Sequence, residues 1–122
     1  MTRLRIDLNI RSTIMIDTLS LKQLAVVQNT LAANYEGIEK VARFSDKKKA
    51  LTKVRASLEA TGEKLIFVLK PDFKKRGVAA TERFATYKDG MLSLEYVEAV
   101  GPEYGRRDLR HDSQHGLIKL VA

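Results

Sequence analysis

The sequence contains no cysteine, which excludes disulfides and thiolate metal sites and is compatible with a reducing compartment. It has no apolar run near the roughly 18 residues that a membrane-crossing helix requires. Arg3, Arg5 and Asp7 open the chain without a signal-type apolar core behind them, so the expectation is a cytoplasmic protein with no membrane partner. There is no glycine-rich phosphate loop, because Gly77, Gly90, Gly101, Gly105 and Gly116 are isolated. The serines lack the G-x-S-x-G setting of a strained nucleophile. His111 and His115 are four residues apart, but Asp112 stands where a metalloprotease needs glutamate, and no third ligand is suitably spaced. Glu95 and Glu98 have the spacing of a solvent-facing helix surface. These absences predict no bound metal, no cofactor and no enzymatic activity.

What is present is positive charge: 22 Lys and Arg against 15 Asp and Glu give a net +7. The isoelectric point of about 9.8 exceeds the rough value of 9 that marks nucleic-acid-binding domains. A polyanion is therefore the first partner to consider, since basic side chains gain affinity by releasing its counterions. The excess is +5 over residues 1–60 and +2 over residues 61–122.

The pattern of apolar residues predicts an α+β chain, mostly helical with a small antiparallel sheet. Leu4, Ile6, Leu8 and Ile10 alternate with polar residues from Arg3 to Arg11, as in a half-buried strand. Ser20 and Gln23 have capping-box spacing, and Leu21, Leu24, Ala25, Gln28 and Leu31 form a helical stripe, placing a helix from Ser20 to Asn34. Ser45 or Asp46 caps a second helix, with Leu51, Val54 and Leu58 toward the core and a stop near Thr61 and Gly62. Leu65 to Leu69, between Gly62 and Pro71, reads as a buried strand.

In the last third, Thr81 to Asp89, Ser93 to Val100 and Gly105 to His115 read as short helices, followed by an apolar strand from Leu117 to Val121. That order predicts a winged helix-turn-helix-like C-terminal half, its strand paired with Leu65 to Leu69. The implied division is 1–70 and 71–122, joined by Lys70 to Gly77 or fused into one compact unit.

Two basic segments are candidate nucleic-acid contacts. In the second helix, Lys47, Lys48, Lys49, Lys53 and Arg55 form a broad basic surface suited to phosphates, or simply a solvated face. The C-terminal helix offers Arg106, Arg107, Arg110, Ser113 and Gln114, donors used on phosphates and base edges. Asp108 and Asp112 temper that reading, since they can pair with the arginines and leave a structural helix or one that contacts a protein partner. The lysine-rich helix is therefore expected to supply much of the attraction, and the C-terminal helix orientation or modest specificity. Lys74, Lys75 and Arg76 add charge between the halves. Phe84, Tyr87, Tyr96, Phe44 and Phe67 are expected in the core, while Tyr35, Phe73 and Tyr104 lie in or beside connectors, where each could stack on a base or fill a partner pocket.

Asn29-Thr30-Leu31 with Lys40 to Asp46 and Ala50 to Arg55 resembles a helical module of small bacteriophage and prophage proteins. Tyr87 to Met91, Tyr96, Asp108 to Asp112 and Gly116-Leu117-Ile118 resemble helix-turn-helix tails of similar phage-encoded proteins. The resemblance implies a viral origin, a bacterial host cell and a binding role, and it transfers no catalytic residue. The leading expectation is a nucleic-acid-binding protein, with double-stranded DNA preferred and a regulatory role open. Alternatives are a host-takeover inhibitor that docks on a host nucleic-acid enzyme or defence complex, and a structural or packaging component that self-assembles, as a homodimer or larger, through the Arg3 to Arg11 strand.

Overall fold

The computed structural model describes residues 15–122, so the strand expected at Arg3 to Arg11 lies outside the described residues. In chain order the elements are α1 (Leu21–Asn34), α2 (Lys47–Thr61), β1 (Leu65–Val68), α3 (Val78–Phe84), β2 (Met91–Leu92), α4 (Ser93–Val100), α5 (Pro102–Gln114) and β3 (Ile118–Val121). The fold is α+β, with one small antiparallel sheet in the order β2-β1-β3. Two compact units divide the chain: one ends at Gly62 and takes in the last two residues, the other runs Glu63–Leu120. The division thus falls at 62/63 rather than 70/71. Lys70 to Gly77 lies within the second unit instead of linking two halves.

In the first unit α1 and α2 start and stop where local chemistry dictates. The Ser20 hydroxyl accepts from Gln23 N–H at 3.1 Å while the Gln23 side chain accepts from Ser20 N–H at 2.8 Å, closing the capping box before α1. Asp46 caps α2 by accepting from Lys48 N–H at 2.9 Å, and Gly62 ends it in the left-handed region at φ 74°. Leu24, Val27 and Leu31 of α1, and Ala50, Leu51, Val54 and Leu58 of α2, are buried as the two helices pack together. The connector between them is tied down from α1. Asn29 exchanges two 2.8 Å hydrogen bonds with the Val41 backbone. Fully buried Gln28 donates to the Glu39 carbonyl at 2.7 Å and accepts from the Ser57 hydroxyl at 2.9 Å.

The second unit is built on β1. Leu65 and Ile66 pair antiparallel with Leu92 and Met91 of β2. On the other edge, Leu69 N–H donates to the Leu117 carbonyl at 2.9 Å where β3 begins. Its core contains Ile66, Phe84, Tyr87, Tyr96, Leu109, Leu117 and Ile118. The helices differ from the sequence expectation in three ways. First, α3 runs Val78–Phe84 rather than Thr81 to Asp89. Gly77, at φ 88°, starts it earlier, and the residues up to Asp89 instead turn the chain into β2. Second, α4 has the expected bounds, but two glutamates cap its start, one of them Glu95. Glu63 accepts from Leu94 N–H at 2.9 Å and Glu95 from Leu92 N–H at 3.0 Å, so Glu95 is not a bare surface residue. Third, Pro102 lets α5 begin before Gly105.

The helix–helix–strand order is as expected, but Gly101 alone separates α4 from α5, a tighter turn than the three or four residues of a usual helix-turn-helix. This turn forces the two helices together at Gly105. A Cβ there would stand 2.7 Å from the Cα of Val97. Gly105→Ala raises intrinsic helix propensity by about 1 kcal/mol, yet it is expected to destabilise the protein by about 2 kcal/mol, because overpacking against backbone prevails. Urea unfolding checks the sign. A Val97→Ala background leaves the clashing backbone atom in place and should not restore stability.

Candidate nucleic-acid interface

Helix α5 is sharply two-sided. Gly105, Leu109 and Asp112 are buried, a spacing of four and three that places them on one face. The buried face carries the aspartates. Asp112 is only 1% exposed. It accepts from the Lys75 ammonium, from the Tyr87 hydroxyl at 2.7 Å and from His111 Nδ1 at 3.1 Å. Burial alone would raise its pKa, but these three hydrogen bonds outweigh burial and hold the carboxyl below the ordinary carboxylate range. Half-buried Asp108 accepts from Arg83 Nε at 2.7 Å and from the Tyr96 hydroxyl at 2.7 Å.

Tyr87 and Tyr96 stack with ring centroids 4.2 Å apart. Burial pushes both hydroxyls above the usual phenol range, and hydrogen bonding to the aspartates adds to this. They therefore remain neutral donors. The Asp108 hydrogen bond likewise raises the pKa of Arg83, securing its charge. The two aspartates of α5 are thus each matched by a cation from elsewhere in the unit, Lys75 and Arg83.

The opposite face of α5 is exposed and carries Glu103, Arg106, Arg107, Arg110, His111, Gln114 and His115. Arg106, Arg110 and Gln114 follow one another at four-residue steps, in a line along the helix. Beside them, the Tyr104 ring is flanked by Arg83 at 4.5 Å and Arg107 at 5.3 Å, which restricts the Arg107 guanidinium. With Asp108 and Asp112 turned inward, three arginines face solvent against one carboxylate.

The histidines share this face but do not make a chelate. Their rings stack at 4.0 Å with 19° between planes, so the free Nε2 lone pairs lie in nearly parallel planes and do not converge on one ion. Both Nδ1 atoms are engaged, His111 with Asp112 and His115 with the His111 carbonyl at 2.8 Å. No group of three metal-ligating side chains exists among the described residues.

The other basic residues have separate fates. Lys48 and Lys49 are exposed on α2. Lys47 is held by the Leu19 carbonyl, and Lys53 pairs with Glu39 at 3.0 Å. Arg55 was expected on the basic surface, yet it is half-buried because it lies four residues after Leu51 and three before Leu58. One of its terminal nitrogens has no hydrogen-bond partner among the described residues. Lys74 and Arg76 are exposed. Lys75 is a correction: it is turned inward to Asp112 and serves the fold.

Sequence reasoning missed Arg83, whose partners Asp108 and Tyr104 on α5 are brought close only by folding. No family model, no curated protein and no solved structure matches this chain. No helix among the described residues is long and apolar enough to cross a membrane.

Proposed function

We propose that this protein binds double-stranded DNA, with the exposed face of α5 in the major groove. The observation that carries the reading is the neutralisation of Asp108 and Asp112 inside the second unit, which leaves Arg106, Arg107, Arg110 and Gln114 facing outward. Glu103, in the first turn, is the one carboxylate of α5 left on that face, against three arginines. An α-helix fits a groove roughly 12 Å wide, where arginine recognises guanine and glutamine recognises adenine by paired hydrogen bonds. Lys48 and Lys49 on α2 supply a second, sequence-independent attraction to phosphates.

A gel-shift titration with salt tests the reading. Each neutralised phosphate contributes a slope of about −0.9 to log affinity against log salt, so three arginines and two lysines give between about −3 and −5. A flat line, or no duplex binding at low salt, would overturn it.

A further inference from the structure

Away from α5, the second unit has a groove of about 430 Å³ lined by Val68, Pro71, Phe73, Phe84, Tyr87, Lys88 and Asp89 among others. Phe73 forms part of its wall and is 46% exposed. Its ring is braced from below: it meets Phe84 edge-on at 6.2 Å, and Phe84 meets Tyr87 edge-on at 5.6 Å. The backbone is also fixed, since Phe73 N–H donates to the Lys70 carbonyl at 3.1 Å. The ring is therefore presented by a supported turn.

The surroundings are cationic. Lys88 lines the groove, and exposed Lys70 and Lys74 are chain neighbours of its lining residues Pro71 and Phe73, with exposed Asp72 between those two. The carboxylate in the lining, Asp89, is anchored by accepting from Val68 N–H at 2.7 Å, and it offers an acceptor to a donor group. An exposed aromatic face, flanking ammonium groups and a fixed acceptor are complementary to an aromatic ring that carries amino groups and is tethered to phosphates. We propose that this groove binds an unpaired nucleobase of a DNA strand, stacked on Phe73, with the neighbouring phosphates on Lys70, Lys74 and Lys88. The base's exocyclic amino group donates to Asp89. A base within an intact duplex cannot reach the ring without leaving its stack, so the groove selects for single-stranded or distorted DNA. This inference rests on the DNA-binding reading but uses a surface separate from α5.

The test compares the full chain with Phe73→Ala, Phe73→Leu and Phe73→Trp variants, on a short single strand carrying a fluorescent adenine analogue and on the matching duplex. Leucine keeps apolar cover over Phe84 while removing the aromatic face, which separates stacking from folding. Phe73→Ala and Phe73→Leu should each weaken single-strand binding about tenfold and abolish quenching of the analogue. Phe73→Trp should retain both, and duplex affinity should stay within about twofold for all three, because its contacts lie on α5. If the wild type binds duplex but no single strand, or if Phe73→Leu binds the strand as wild type does, the groove proposal fails and the α5 reading stands. If the wild type binds neither form, both fail. If the single strand leaves the Phe73 ring resonances unmoved while an acidic, aromatic-rich peptide shifts them, the groove docks protein and the proposal is overturned.

Discussion

Asp112→Ala is expected to be the most destabilising single substitution in the second unit, lowering stability by about 3–5 kcal/mol. The change removes the acceptor for the Lys75 ammonium and the Tyr87 hydroxyl together, leaving a buried charge and a buried phenol unmatched. For a chain of this size the thermal midpoint should fall by more than about 10 °C. Asp112→Asn preserves the shape but turns one acceptor into a donor, and about 2 kcal/mol is expected for it.

The pH dependence distinguishes a lost ion pair from a lost contact. The folded-state pKa of Asp112 is depressed, so the unfolded chain takes up its proton first on acidification. The stability contributed by Asp112 is complete above the ordinary carboxylate value of about 4 and is lost as pH falls through the lower folded value. Wild-type protein should therefore destabilise more steeply with acid than Asp112→Asn, and the two curves should converge at low pH. Parallel curves would mean that Asp112 is held by packing rather than charge.

Replacing Arg106, Arg107 and Arg110 together by alanine is expected to weaken duplex binding by about a hundredfold or more, since charged phosphate contacts and paired hydrogen bonds to bases each carry about 1–3 kcal/mol. The salt slope should become shallower by about 0.9 for each arginine that met a phosphate. The fold should survive, because these side chains are exposed while Leu109 and Asp112 make the contacts inward. The lysine-rich helix was expected from sequence to supply much of the attraction. On the proposed reading the ranking is reversed, because Lys47 and Lys53 are engaged and Arg55 is half-buried, leaving Lys48 and Lys49 as the exposed pair. Lys48→Glu with Lys49→Glu should therefore cost less than the triple alanine variant. Electrophoretic titration of all three proteins at one salt concentration ranks the surfaces. A larger loss from the lysine pair would move the leading role to α2.

The sequence by itself determined the elements whose signals are local. Ser20 and Gln23 are three residues apart and cap α1. Asp46 and Gly62 bound α2 because a side-chain acceptor starts a helix and a left-handed glycine ends one. The apolar run at Leu65 gave β1, and its pairing with the terminal strand followed from the need to cover both. Where the local signal was ambiguous the boundaries moved, as at Gly77 and Pro102, and β2 was too short to register.

The character of the candidate interface depended on contacts that no short window of sequence contains. Asp108 and Asp112 look like surface acids among arginines, and Lys75 looks like one more basic residue in a connector. Folding brings Lys75 to Asp112 across 37 positions and Arg83 to Asp108 across 25. Composition counts these charges alike, whereas the electrostatics of a face depends on which are neutralised beneath it. The tertiary structure alone decided that the arginines of α5 face outward with Glu103 while its two aspartates face inward.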